Sequence, residues 1–233
     1  MPADLHQHNA NNLGWPPLLF VSAAAVSAVW VAGSRAWFSS WHGFPNTAST
    51  TLLFLAGAAT ANRDVPTPYK WGIVAGLGFS AMGDAFLMLH RGYFVAGLAS
   101  FLVAHLCYLW AFTHDSRLAG RKVPFLVWGV WGMVLVPLLW PGVAGSLRIP
   151  GVLYAGALLA MAAQAASRAA SRRDAAAILA AVGAALFVVS DSALAFQRFR
   201  HPLAWGRVLV LGTYFAAQGG IALSVVMYRG RTS

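Results

Sequence analysis

Glutamate is absent from this chain, and only six of its 233 residues are acidic, all of them aspartate. The lack of glutamate rules out a zinc helix of the His-Glu-x-x-His type. A single cysteine, Cys107, excludes an intrachain disulfide and any cysteine-based metal cluster. Charged residues make up only 9% of the chain, too few to cover the surface of a soluble domain of this size. The Gly-x-Ser-x-Gly elbow, the Walker loop and the dinucleotide glycine fingerprint are also missing.

Apolar sequence fills the space that charge leaves. The composition is 59% hydrophobic and the mean hydropathy is +0.64. Continuous apolar runs of membrane-spanning length recur throughout, which predicts an all-α polytopic membrane bundle rather than an alternating β-barrel. Eight spans are expected, at about 16–33, 47–61, 71–89, 93–112, 123–140, 149–167, 175–196 and 203–227. They form one transmembrane domain over 16–228, with a polar segment at 1–15 and a short basic tail at 229–233. The polar start lacks the basic region of a cleavable signal, so the first span is expected to remain as a helix.

A net charge of +10 suggests nucleic acid in a soluble protein. Here the cations are read as loop anchors facing anionic lipid, and no nucleic-acid partner is expected. Ten lysines and arginines fall on the side of the termini and six on the other. That bias puts both termini in the cytoplasm of a cell (inner) membrane protein. Trp15, Trp37, Trp41, Trp71, Trp140 and Trp205 lie near span ends, as an aromatic belt requires.

Two aspartates break the apolar pattern. Asp84 follows Ala81-Met82-Gly83 in the third span, and Asp191 follows Val188-Val189-Ser190 in the seventh. An acid in a membrane span costs about 3 kcal/mol on insertion scales, so two of them point to function. The two spans run in the same direction, and the aspartates are expected about six residues before the outer end. Their separation of almost half the chain suggests a four-plus-four parallel duplication.

In a low dielectric, repulsion between neighbouring carboxylates keeps a proton on one of them. One protonated and one charged carboxyl can act as acid and charge stabiliser. The same residues could relay protons in a carrier for a small amphiphile, or fix helix packing. Residue chemistry alone leaves these three readings open. His105 and Tyr108 share a face of the fourth span, and Tyr214 and Gln218 share one of the eighth, so all four are supporting candidates. Arg91 and Arg198 each follow an aspartate by seven residues and are candidates for a lipid phosphate.

The ordered set of motifs resembles the YhhN family of integral membrane lysoplasmalogenases. The resemblance rests on Gly83-Asp84 with Leu87-Met88, and on Gly97-Leu98 through Phe101-Leu102-Val103-Ala104-His105 to Tyr108. It continues in Ser190-Asp191 with Leu194-Ala195 and Arg198-Phe199, then Tyr214 with Ala217-Gln218. It implies hydrolysis of the vinyl ether bond of a lysoplasmalogen, a lysophospholipid substrate held in membrane lipid, and no metal or organic cofactor. Asp84 and Asp191 would be the catalytic pair. One departure is that family members often open the second span with Lys-Pro, where this chain has Phe44-Pro45.

Overall fold

In the computed structural model, residues 19, 22–27, 45–60, 65–89 and 91–228 are described, apart from the side chains of 45–49 and 91. Helix α1 covers residues 22–27. It is followed by α2 (Pro45–Ala59), α3 (Thr67–Leu89), α4 (Phe94–Thr113), α5 (Lys122–Leu139), α6 (Gly145–Arg172), α7 (Ala175–Phe199) and α8 (Gly206–Val226). Short 3-10 turns, Arg91–Tyr93 and Trp140–Gly142, lead into α4 and follow α5. The described residues contain no strand. Among the described residues, six helices, α3 to α8, are long and apolar enough to cross a membrane. The protein is an integral membrane helical bundle.

Six helices form a closed ring of neighbours, in the order α2, α3, α4, α6, α7, α8 and back to α2. The order repeats, since α3 lies between α2 and α4 as α7 lies between α6 and α8. Helix α5 lies outside the ring against α6 and touches α7. Its Val123, Leu126, Val127, Met133 and Val134 are exposed and face lipid. The core inside the ring is aromatic and aliphatic, with Tyr69, Phe101, Tyr108, Phe112, Phe187, Tyr214 and Ile221 all buried.

Small residues let the helices approach. A Cβ on Gly76 of α3 would come within 2.2 Å of the Tyr108 ring on α4, and one on Gly183 of α7 within 2.8 Å of the Ala217 carbonyl on α8. Without a hydrophobic driving force between helices in lipid, such close contact supplies the packing energy.

Antiparallel neighbours give the bundle two distinct ends. At the first, Arg168 near the end of α6 is fully buried and binds Asp115 beyond α4 through two hydrogen bonds, at 2.6 and 2.8 Å. Arg172 joins Asp115 at 3.0 Å and Asp174 at 2.7 Å, and Tyr228 donates to Asp115 at 2.9 Å. Asp174 also caps α7 by accepting from the Ala177 amide at 2.8 Å. The 3-10 turns lie at the second end.

Several boundaries depart from the sequence reading. Helix α6 runs on to Arg172 rather than stopping at Ser167, because Asp115 and Asp174 neutralise the cations of its last turns. Helix α3 stops at Leu89, so Arg91 falls in a turn, whereas α7 continues past Arg198 to Phe199. The aspartates therefore do not sit equally far from their helix ends. Asp84 has about a turn and a half of α3 after it, and Asp191 more than two turns of α7. Residues 1–15, 229–233 and most of the first expected span, with Trp15, Trp37 and Trp41, lie outside the described residues.

Candidate active site

Asp84 and Asp191 line one cavity of about 670 Å³ at the second end of the bundle. Leu98, Phe101, Leu135, Val152, Leu158 and Val188 are among the apolar side chains of its wall. The ring order brings the two acids together, because α3 and α7 face each other across it.

Each carboxyl is held by one oxygen. Asp84 Oδ2 accepts from Tyr214 Oη of α8 at 2.7 Å and from Thr51 Oγ1 of α2 at 3.1 Å. Asp191 Oδ2 accepts from Tyr154 Oη of α6 at 2.5 Å, and His105 Nε2 of α4 lies 3.6 Å from the same oxygen. The pattern repeats across the ring. Each aspartate takes one partner from the helix preceding it and one from the last helix of the opposite trio. Among the described residues, the second oxygen of each aspartate has no protein hydrogen-bond partner.

A chain of donors stands behind Asp84. Tyr108 Oη donates to Gln218 Oε1 at 2.9 Å, and Gln218 Nε2 donates to Tyr214 Oη at 3.0 Å. That order leaves the Tyr214 proton directed at Asp84. Ser80 adds a contact to Tyr108 at 3.4 Å. Behind Asp191, His105 Nε2 is also 3.2 Å from Tyr154 Oη, while His105 Nδ1 is buried with no hydrogen-bond partner among the described residues. The Phe187 ring separates the two systems, edge-on to His105 at 4.9 Å and to Tyr214 at 5.5 Å.

The structure thus brings Asp84, Asp191, His105, Tyr108, Tyr214 and Gln218 into two connected networks. Arg198 lines the outer part of the same cavity. The Arg91 side chain lies outside the described residues. Thr51, Tyr154, Arg148 and Arg207 were not singled out from the sequence. Tyr154 had a usable signal, as the one tyrosine in the Ala- and Leu-rich α6. Thr51 lies in the short α2, and nothing local ties it to an acid 33 residues away.

Fold and site together define an integral membrane protein with two carboxylates lining one largely apolar cavity. The chain belongs to the YhhN family, whose model matches residues 44–225. It is 37% identical over 168 residues to the bovine lysoplasmalogenase TMEM86A, covering 70% of this chain and 68% of that one. It is 31% identical over 185 residues to the rat lysoplasmalogenase TMEM86B, covering 77% and 70%. A lysoplasmalogenase of Mycobacterium bovis is 33% identical over 156 residues, covering 64% and 58%. No solved structure matches the chain.

Proposed function

We propose that the protein hydrolyses the vinyl ether bond of lysoplasmalogen, releasing a fatty aldehyde and glycerophosphocholine or glycerophosphoethanolamine. The observation that carries this reading is the pair of carboxyls in one apolar cavity, each with one oxygen fixed and the other unengaged. The lysoplasmalogenase names of the relatives support it.

The chemistry needs a proton donor and a group that tolerates a cation. A protonated carboxyl gives its proton to the β-carbon of the vinyl ether, and the double-bond electrons form the new C–H bond. The resulting oxocarbenium ion is stabilised by the second, ionised carboxylate. Water adds to the α-carbon and loses a proton to a carboxylate. The hemiacetal then collapses to aldehyde and alcohol, and the sum is one water consumed. Tyr214 and Tyr154 orient the two carboxyls, and Gln218, Tyr108 and His105 hold those phenols. The apolar wall takes the hydrocarbon chain.

The test is aldehyde release from lysoplasmalogen by purified protein beside Asp84→Asn and Asp191→Asn. Asparagine keeps the shape but supplies neither acid nor charge. Each variant is expected to lose about 10²-fold or more, the usual contribution of a positioned acid or base. No release by a folded parent would sink the reading, and so would full activity in either variant.

Both termini are assigned to the cytoplasm of a cell membrane, so the cavity end faces outward. A C-terminal reporter active only in the cytoplasm should therefore be active, and a silent but stably inserted fusion would reverse the orientation.

A further inference from the structure

Three arginines from three helices line the outer part of the cavity: Arg148 near the start of α6, Arg198 near the end of α7 and Arg207 near the start of α8. Arg148 lies over the Trp140 ring at 4.9 Å and Arg198 over the Phe94 ring at 5.2 Å. An aromatic face positions a guanidinium without neutralising it, and leaves its N–H edge for an anion. The four described aspartates are all engaged elsewhere. Asp115 and Asp174 pair with Arg168 and Arg172 at the opposite end, and Asp84 and Asp191 are tied to tyrosines deeper in the cavity. This mouth therefore gathers positive charge with no acid among the described lining residues besides the reacting pair.

We propose that Arg148, Arg198 and Arg207 form a phosphodiester subsite that holds the head group of a lysophospholipid while its sn-1 chain lies against the aspartates. The proposal rests on the cavity being a lysophospholipid site. Dimensions fit it. Arg198 follows Asp191 by two helical turns on the same face, on the order of 10 Å along the axis. The vinyl ether oxygen and the phosphorus are five bonds apart, roughly 6 Å, and the flexible arginine stem spans the remainder. Bidentate guanidinium–phosphate contacts suit this spacing, and a phosphate anchored at the mouth fixes how deep the ether bond enters.

Equilibrium binding tests this with two saturated, uncleavable ligands of equal chain length: 1-O-alkylglycero-3-phosphocholine and 1-O-alkylglycerol. Parent, Arg148→Gln/Arg198→Gln and Arg207→Gln are compared after size-exclusion and thermal-melt checks of folding. The subsite requires about tenfold or greater weakening for the phospholipid in each variant, with alkylglycerol binding unchanged. Equal losses for both ligands, or none, would overturn it, as would a parent that binds neither. Displacement of the phospholipid by millimolar inorganic phosphate would instead define a free-phosphate site and overturn the head-group assignment. Neither ligand can be hydrolysed, so the two readings separate. A parent that binds the phospholipid through its arginines but releases no aldehyde loses the hydrolase reading and keeps the subsite. A parent that cleaves, with arginine variants that bind as it does, loses only the subsite.

Discussion

A carboxyl in an apolar cavity takes its direction from its hydrogen bonds, and at Asp191 a phenol supplies one. Tyr154 Oη lies 2.5 Å from Asp191, while its ring packs edge-on to His105 at 5.2 Å. The hydroxyl and the ring therefore have separable roles. Tyr154→Phe removes the hydrogen bond and keeps the packing. Under the hydrolase reading, aldehyde release should fall about tenfold or more in kcat, the value of one hydrogen bond to an ionisable group. KM should change little, because the phenol contacts the acid rather than the lipid head. Unchanged kcat with a lowered melting temperature would make Tyr154 a packing residue only. Steady-state kinetics beside a thermal melt separates the outcomes.

At the scale of elements, the site depends on how closely α3 and α4 approach. Gly76 faces the Tyr108 ring so tightly that an added methyl cannot be absorbed by a rotamer change. Gly76→Ala should push α4 outward, part Tyr108 from Gln218 and lower stability by about 1–3 kcal/mol. Activity should drop with it, because Gln218 directs Tyr214 at Asp84. A variant as stable and as active as the parent would show that the two helices separate without cost.

This spacing is also where sequence legibility ends. Hydrophobic run length located the spans from the third to the eighth, because lipid forces each to satisfy its backbone internally. It misjudged the end of α6, because Arg168 and Arg172 read as loop cations until Asp115 and Asp174 are placed beside them. Asp84 and Asp191 stood out because an acid in lipid is costly. Tyr154 and Thr51 did not, since their meaning lies in which helices become neighbours, and run length carries no such information. The same holds for Arg148 and Arg207, which read as ordinary interface anchors until three helix ends converge on one cavity.

For the whole molecule, the two ends divide the work. The buried ion pairs join the ends of α4, α6, α7 and α8, and Tyr69 of α3 lies under the Arg168 guanidinium at 4.5 Å. This cluster ties the ring together at the end away from the cavity, which leaves the walls of the cavity largely apolar. Burial alone would raise the Asp115 carboxyl, but the hydrogen bonds and charge of Arg168, with Tyr228 and Arg172, outweigh it and hold the group below the usual carboxylate range. A carboxyl depressed in the folded state contributes stability that is complete above its unfolded value, about pH 4, and is lost as pH falls through the lower folded value. Asp115→Asn leaves Arg168 buried without its charge partner, which costs about 3 kcal/mol or more and lowers Tm by about 5–10 °C. That gap between parent and variant should be widest near neutral pH and should begin to narrow as pH falls below about 4, the unfolded value. It should close only as pH passes the lower folded value, where protonation removes the same charge from the parent. Specific activity per folded molecule should stay near the parent value, since the cluster lies at the opposite end from the aspartate pair. Melts of both proteins from pH 7 to pH 3, with aldehyde release at neutral pH, test both statements. A gap that does not narrow at all between about pH 4 and pH 3 would mean that Asp115 stabilises the ring through shape and hydrogen bonding rather than charge. Lost activity in folded Asp115→Asn would mean that the two ends are coupled through the helices rather than independent.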